Sequence, residues 1–174
     1  MPLATDLPTN MNRQLGHTEV RTNKPKREIV LVCDGVQGPA NMGSIFRLSD
    51  AFGVKKIYFS TAVDTGSGRL RKTSRSTFGW VEYQDLADPL AVAKYYKEEG
   101  YLLVALEITE DSISLQALEI EGPLCILIGG EMHGIGQQLL NLTDQTVHID
   151  LFGENSSMNV AQATAILLYQ LCKS

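Results

Sequence analysis

The sequence predicts an α/β domain with a mostly parallel sheet and helices on both faces of that sheet. Residues 29–33 form an unbroken apolar run rich in β-branched side chains. Such runs are typical of strands that are buried on both faces of a parallel sheet. Further apolar runs then alternate with helix-like segments along the chain, which is the order expected when helices cover both faces of one sheet.

The predicted elements follow one another in a regular order. They are a strand at 29–33, a helix at 41–52, a strand at 56–59, a helix near 86–99, strands at 101–106 and 124–128, a short helix after Gly134, a strand at 146–149 and a last helix from about 157 to 171. Residues 61–80 contain three glycines and four basic residues but little apolar periodicity. We therefore expect a long loop there, and loops of that length in compact domains are usually functional or disordered.

The last predicted helix is apolar around most of its circumference. Residues 155–172 carry no charged side chain, which predicts a helix that is buried nearly all round. Gln162, Thr164 and Gln170 make this short segment a poor membrane span. Burial against its own sheet and against a second copy of the chain would explain the pattern, so we expect a homodimer.

Length and composition predict one domain. The 174 residues suffice to bury a single core. Residues 1–27 are polar and contain three prolines, so we expect an arm that is mobile until it binds a partner, followed by one domain at 28–174.

The start of the chain lacks a signal-peptide pattern and no run is long enough for a membrane span, so we expect a soluble, cytoplasmic protein. Three scattered cysteines without a CxxC pair predict reduced core thiols and no metal site.

Positive charge is concentrated in the first half of the chain. The net charge is −5, yet residues 1–80 carry 12 lysines and arginines against 6 acidic residues, while residues 81–174 carry 3 against 14. Each basic cluster alone fits a solvated surface, but together they favour a polyanion such as RNA. The candidate RNA-binding residues are Lys24, Lys26 and Arg27 in the arm, and Arg69, Arg71, Lys72 and Arg75 in the predicted loop.

Three short polar motifs stand at predicted turns. The first is Asn41-x-Gly43-x-x-x-Arg47, the second is Gly129-Gly130-Glu131-x-x-Gly134, and the third, at 155–160, reads Asn-Ser-Ser-Met-Asn-Val. In their order, and in the strand patterns between them, they resemble the signature motifs of the SpoU/TrmH branch of the SPOUT RNA methyltransferases. The resemblance extends over residues 28–171, nearly the whole chain.

This resemblance implies an activity and a fold. Members of the family transfer a methyl group from S-adenosylmethionine to the 2'-hydroxyl of an RNA ribose. They thread the C-terminal segment through a loop to form a deep trefoil knot, and they use the knot region as a homodimer interface. The turns that would form the knot here are 129–134 and 152–156. The implied partners are RNA, S-adenosylmethionine and a second copy of the chain.

The first motif has two interpretations. Asn41 at the start of a predicted helix fits an N-cap, and Arg47 fits a surface or ion-pairing arginine. The resemblance instead implies that Arg47 holds the catalytic position and that Asn41 supports it. A free guanidinium is protonated at neutral pH and is a poor base. We therefore expect Arg47 to bind the RNA phosphate and stabilise the developing alkoxide, with the proton acceptor left open.

The second and third motifs contain the other candidate site residues. Consecutive glycines after the apolar strand let the backbone approach a ligand closely, and the resemblance assigns this turn to the cofactor, with Glu131 near the active site. Ser157 and Asn159 are implied in the catalytic cleft, although Ser157 also fits a helix N-cap. His133 is expected to be a surface histidine. The implied cofactor-binding residues are Leu106, Gly129, Gly130, Gly134, Ile149, Leu151 and Met158.

The chain departs from the family pattern at two places. The family has proline and methionine after the position of Ile149, where this chain has Asp150 and Leu151. The family's glutamate near the end of the last helix is Gln170 here. Asp150 places a charge beside the predicted cofactor turn, where it would affect cofactor affinity.

The expected substrate is tRNA rather than ribosomal RNA. Residues 72–74 resemble the matching loop of tRNA-modifying TrmH proteins, and the arm is too short for the separate RNA-binding domain of many ribosomal-RNA members. The alternatives are a ribosomal-RNA ribose methyltransferase and a catalytically silent RNA-binding protein on the same fold. The full set of five candidate catalytic residues argues against a silent protein. A nucleotide-binding oxidoreductase is disfavoured because GxGxxG is missing after the first strand.

Overall fold

The computed structural model describes residues 13–16, 19 and 25–173 of the chain. Lys24 and most of the predicted arm therefore lie outside the described residues. The elements in chain order are β1 (Ile29–Asp34), α1 (Pro39–Phe52), β2 (Lys56–Phe59), α2 (Gly68–Ser74), β3 (Glu82–Gln84), α3 (Pro89–Glu98), β4 (Leu102–Leu106), β5 (Ile113–Ser114), β6 (Leu124–Gly129), α4 (Gln137–Leu140), β7 (Gln145–His148) and α5 (Val160–Lys173).

The strands form one sheet in the order β3-β2-β1-β6-β4-β7-β5. Every pair of neighbouring strands in it is parallel. In the register at its centre, Val30 of β1 lies beside Lys56 of β2 and Cys125 of β6. The predicted parallel sheet is confirmed, and each predicted strand is present within one or two residues. Sequence reasoning missed β3 and β5, which have three and two residues and are too short to show a periodicity.

Helices cover both faces of the sheet, as predicted. Ile29 and Leu31 of β1 pack in one core with buried residues of α1, α2 and α5. Val30 and Val32 point to the opposite face, where they pack with buried residues of α3 and α4. This alternation follows from the two-residue repeat of a strand, which sends successive side chains to opposite faces. All four side chains are at most 1% exposed, which explains why the run is apolar without interruption.

The region 61–80 is more ordered than the predicted loop. It contains α2 and a 3-10 turn at Thr77–Gly79. Ser67 caps α2, since its side chain accepts a hydrogen bond from Leu70 N. Leu70 is completely buried in the core on that face. The prediction was wrong because a seven-residue helix with one buried large apolar side chain carries too little amphipathic signal.

The last helix begins later than predicted and exposes one side. α5 begins at Val160 rather than near 157. Leu167, Leu168 and Leu171 are buried against the core, whereas Ile166 is 41% and Tyr169 is 54% exposed. A single chain therefore buries one side of the helix and leaves an apolar stripe exposed, and the expected burial of that stripe against a second copy stays a prediction. No helix within the described ranges is long and apolar enough to cross a membrane.

Candidate active site

A cavity of about 270 Å³ lies at the carboxyl ends of β4, β6 and β7. Parallel strands place their carboxyl ends at one edge of the sheet, which is where open α/β sheets bind their ligands. The lining residues come from the ends of these strands and from the segment that leads into α5. They are Leu106, Glu107, Ile108, Ile128, Gly129, Gly130, Glu131, Gly134, His148, Ile149, Leu151, Ser157, Met158, Val160 and Ala163.

All of the residues predicted to bind the cofactor line this cavity. They come from three strand ends, from the turn after β6 and from the segment before α5. The four that are not glycines are apolar, so the cavity has an apolar wall beside glycine turns. The seven are Leu106, Gly129, Gly130, Gly134, Ile149, Leu151 and Met158. Two of the predicted catalytic residues, Glu131 and Ser157, line it as well. Such an arrangement suits a ligand with a flat apolar group and a polar remainder.

A second, smaller depression of about 210 Å³ meets the cavity along the turn between β6 and α4. Its lining includes Asn41 and the backbone at 35–38, which follows β1. Glu131 lines both depressions. Two ligands could therefore approach Glu131 from its two sides. His133, predicted as a surface residue, is exposed and lines the second depression.

Three predicted catalytic side chains are joined by hydrogen bonds. Asn41 donates through Nδ2 to Glu131 Oε1 at 3.0 Å. Asn159 donates through Nδ2 to the same oxygen at 3.0 Å and to Asn41 Oδ1 at 2.9 Å. These residues come from α1, from the turn after β6 and from the start of α5, far apart in the sequence. The cluster fixes the Glu131 carboxylate at the point where the two depressions meet.

The caps of the two site helices differ from the sequence expectation. Asn159, not Ser157, caps α5, since its Oδ1 accepts hydrogen bonds from the backbone N–H of Ala161 at 3.0 Å and of Gln162 at 3.3 Å. Asn41 is not a cap, because α1 begins at Pro39 after Gly38. Asn41 therefore points its side chain to the cluster rather than to the backbone of its own helix. Ser157 is exposed at the cavity rim.

The glycines of the second motif line the cavity and also allow close contacts between backbone segments. A Cβ added at Gly129 would lie 2.5 Å from Ile135 N, and one added at Gly130 would lie 2.6 Å from the carbonyl carbon of Gly35. Gly130 N also donates to the carbonyl oxygen of Asp34 at 2.7 Å. The turn after β6 is thus pressed against the turn after β1. A side chain at Gly130 would push the turn that carries Glu131 away from the turn that leads into α1, whereas one at Gly129 would collide with Gly134 and Ile135 in its own turn.

Sequence reasoning missed two polar residues of the cavity lining. Glu107 and His148 both line it. His148 Nδ1 lies 3.0 Å from Ser112 Oγ, and Asp150 accepts a hydrogen bond from Ser114 and lies 3.5 Å from His148 Nε2. Asp150, the departure from the family pattern, is thus engaged at the β5 edge of the site. The position of Glu107 directly after an apolar strand was the signal that could have identified it, because strand ends carry binding residues.

Arg47 lies apart from the hydrogen-bonded cluster. It is exposed on α1 and lines neither depression. Among the residues that the structure describes, it forms no hydrogen bond or ion pair. Gly43, between Asn41 and Arg47, packs α1 closely against α2, where a Cβ would lie 2.7 Å from the carbonyl oxygen of Leu70. The three residues of the first motif therefore have different surroundings. Asn41 belongs to the hydrogen-bonded cluster, Gly43 packs against α2, and Arg47 lies on the exposed face of α1.

The predicted RNA-binding cations differ in their availability. Arg69, Lys72 and Arg75 are exposed on α2 or at its end. Arg71 is exposed too, but its Nε donates to the carbonyl oxygen of Thr65 at 2.8 Å. Arg27 is partly buried and donates through Nη1 to the carbonyl oxygen of Ile120 at 2.9 Å, so it anchors the chain before β1. Lys26, the other predicted cation of the arm among the described residues, is exposed.

No group of three or more histidine, cysteine, aspartate or glutamate side chains in the described ranges is arranged to hold a metal ion. Cys33 and Cys125 are buried. Burial raises the pKa of the Cys125 thiol to about 12, and it raises that of Cys33 well above its ordinary value. Both thiols therefore stay protonated in the core and are unsuited to metal binding.

The chain is similar to known proteins in sequence and in fold. A family model described as the SpoU rRNA methylase family matches residues 28–169. A tRNA (guanosine(18)-2'-O)-methyltransferase of Escherichia coli is 30% identical over 82% of this chain, and the match spans 62% of that enzyme's length. The structure of a TrmH/SpoU tRNA modifying enzyme from Aquifex aeolicus matches 86% of this chain and 77% of its own, with 24% identity and a TM-score of 0.76. The SpoU methyltransferase AviRb from Streptomyces viridochromogenes, in complex with the cofactor AdoMet, matches 87% and 61% respectively, with 24% identity and a TM-score of 0.74.

Proposed function

This chain belongs to the SpoU methylase family, and from that premise we propose that it transfers a methyl group from S-adenosylmethionine to the 2'-hydroxyl of a ribose in tRNA. The observation that carries the proposal is the Asn41–Glu131–Asn159 cluster at the junction of two depressions. One depression has the lining expected for the cofactor, and the other is open to an RNA ribose. A silent RNA-binding protein would have no need for this junction.

The larger cavity suits S-adenosylmethionine in shape and charge. The adenine ring would lie against the apolar wall that includes Ile149, Leu151 and Met158, with the turn at 129–134 beside it. Glu107 and Glu131 are the two carboxylates of the lining, and they favour a cofactor that carries a positive sulfonium. When bound, S-adenosylmethionine supplies an electrophilic methyl group and leaves as a neutral thioether.

The residues of the chain orient the ribose and stabilise charge. Glu131, held by the two asparagine amides, would face the reacting groups from the junction. The ribose hydroxyl loses its proton as its oxygen bonds to the methyl carbon. Arg47, protonated and exposed on α1, would bind the neighbouring RNA phosphate and offset the negative charge that develops on that oxygen.

The RNA would run across α2 and the carboxyl edge of the sheet. Arg69, Lys72 and Arg75 expose their charges on α2, and phosphate contacts of this kind supply most of the affinity of an RNA-binding surface. The Escherichia coli relative is a tRNA methyltransferase by its name, which favours tRNA. The family description instead refers to ribosomal RNA, so both substrates belong in the test.

We also propose that the chain forms a knotted homodimer in the cytoplasm. The exposed apolar stripe of α5, with Ile166 and Tyr169, supports a second copy packed against this helix. The trefoil knot would involve the turns 129–134 and 152–156, and likeness to structures of SpoU methyltransferases supports it.

The test is transfer of labelled methyl from S-adenosylmethionine to purified tRNA and, separately, to ribosomal RNA, each lacking its native modifications. Nucleoside analysis of the product then identifies the modified group. A labelled 2'-O-methylnucleoside in the tRNA is the expected result, with 2'-O-methylguanosine the first to look for. Label in ribosomal RNA alone would overturn the substrate, and base methylation would overturn the proposed chemistry.

A further inference from the structure

Glu107 is a carboxylate in the cofactor cavity that none of the three motifs contains. It directly follows β4, is half-buried and lines the cavity between Leu106 and Ile108. It therefore adds an acidic group to a lining that is otherwise largely apolar or glycine. A half-buried carboxylate is costly to keep unless it accepts hydrogen bonds, so the partners of its two oxygens indicate its role.

Two backbone groups hold this carboxylate in place. Oε2 accepts a hydrogen bond from Ile135 N at 3.1 Å, and Oε1 accepts one from Ile108 N at 3.0 Å. Gly134 lies against the same carboxylate, because a Cβ there would meet Oε2 at 2.5 Å. Gly134 also has a positive φ of 62°. A side chain at that position would be strained and would collide with Glu107, so the turn and the carboxylate fit each other.

Each carboxylate oxygen still has acceptor capacity beyond its one backbone hydrogen bond. An ionised carboxylate has about four lone-pair sites and accepts only, and the backbone uses one site on each oxygen. The ligand that best completes such a group offers two adjacent donors. The vicinal 2'- and 3'-hydroxyls of a ribose do so, and acidic residues after a strand bind ribose hydroxyls in other nucleotide-binding sheets.

We propose that Glu107 is a specificity-determining residue of the cofactor site, where its carboxylate accepts hydrogen bonds from both ribose hydroxyls of the adenosyl group. The inference rests on the proposed function, since it concerns the same cavity. Glu131 is unsuited to this task because its Oε1 is already taken by the amides of Asn41 and Asn159. Glu107 therefore recognises the ribose of the cofactor, and Glu131 acts near the methyl group that is transferred.

The test compares three ligands by calorimetry with the full chain: S-adenosylhomocysteine and its 2'-deoxy and 3'-deoxy forms. Hydrogen bonds to a charged group are strong, so each deoxy form should bind wild-type protein about tenfold or more weakly. Glu107→Gln keeps the size of the side chain but removes the charge, and it should reduce that preference to within about threefold. Glu110→Gln, a matched change at an exposed position outside the cavity, should keep the full preference.

The outcomes separate this inference from the proposed function. Equal binding of all three ligands to wild-type protein would overturn the inference and leave the proposed function standing. A uniform loss of affinity in Glu107→Gln, with the preference for hydroxyls kept, would also overturn it, because it would mean that Glu107 only supports the turn at Gly134. Failure of wild-type protein to bind S-adenosylhomocysteine at all would overturn both. Glu107→Ala, which leaves no acceptor at this position, is the second variant and should also lose the preference, and a preference kept in this variant would overturn the inference.

Discussion

Gly43 and Thr73 lie in direct contact where α1 meets α2, because Gly43 has no Cβ. A Cβ added there would overlap Thr73 Oγ1 and lie 2.7 Å from the carbonyl oxygen of Leu70. Thr73 Oγ1 itself donates to the backbone of α2, with the carbonyl oxygens of Arg69 and Leu70 within 3.1 Å. The close approach sets the position of the cationic helix relative to the helix that carries Asn41.

Gly43→Ala should therefore destabilise the protein and weaken RNA binding. Inserting a methyl group into a packed contact typically costs about 1–3 kcal/mol, and here backbone as well as side chain must move. Urea unfolding measures the loss, and RNA titration measures the affinity. Gly68→Ala is the matched control, because nothing lies within 4 Å of a Cβ added at Gly68, and its stability should change by less than about 0.5 kcal/mol. Equal stabilities of the two variants would contradict the packing role.

The sequence predicted those parts of the fold that have long apolar patterns. β1, β6 and α1 were identified because their buried faces impose runs or periods that local reading detects. α2 and the edge strands β3 and β5 were missed, since short elements are stabilised by tertiary contacts such as that of Leu70 with the core. The apolar pattern of α5 predicted burial but not which residues a second copy would cover, because an apolar side chain does not reveal whether its own chain or another copy covers it.

The sequence predicted the site residues that belong to the three motifs, but not those that follow a strand outside any motif. Asn41, Glu131 and Asn159 were selected by motif, and the structure joins them by hydrogen bonds. Their contacts form because three distant segments of the chain meet at one edge of the sheet, and no local sequence pattern predicts that meeting. Glu107 belongs to none of the motifs. The structure identifies it because its side chain lines the cavity and accepts a hydrogen bond from Ile135 N.

Asn159→Asp should abolish methyl transfer without unfolding the protein. The aspartate keeps the cap of α5, because its oxygen still accepts from the backbone of Ala161. It cannot donate to Glu131, and it places a second negative charge beside that carboxylate. We expect methyl transfer to fall by about a hundredfold or more. Asn155→Asp makes the same change at an exposed position of the same segment and should keep activity; similar losses in both variants would argue against the cluster.

Arg47→Ala should remove methyl transfer while leaving cofactor affinity nearly unchanged. Arg47 lines neither depression, so its loss removes a cation that acts on RNA rather than on the cofactor. Calorimetry with S-adenosylhomocysteine and the labelled-methyl assay measure the two properties separately. Lys94→Ala on α3 removes an exposed cation from the opposite face of the sheet and should leave both unchanged. Loss of cofactor binding in folded Arg47→Ala protein would contradict the separation of the two sites.

Tyr169→Glu should convert the proposed dimer to a monomer. Tyr169 is 54% exposed on the apolar stripe of α5, three residues from Ile166, and a charge buried between two copies without a partner is strongly unfavourable. Sedimentation at micromolar concentration measures the mass. Tyr95→Glu is the matched control, since Tyr95 is 55% exposed on α3 at the other face of the sheet. A dimer that persists in Tyr169→Glu would place the interface elsewhere.

The stability of the protein should fall as the pH rises above about 9, and Cys125 should account for part of the fall. Burial raises the pKa of the Cys125 thiol from its ordinary 9.0 to about 12, so between these values the folded state binds more protons than the unfolded chain. The free energy of unfolding therefore decreases with pH in that window.

Cys125→Ala removes this titration. Between pH 7.5 and 10.5 the free energy of unfolding of this variant, measured by urea unfolding, should fall by about 2 kcal/mol less than that of wild type. Cys172→Ala, at a partly buried thiol, should reduce the loss less. An unchanged pH dependence in Cys125→Ala would show that other groups, among them Cys33 and Tyr96, whose pKa values burial also raises, produce the whole effect.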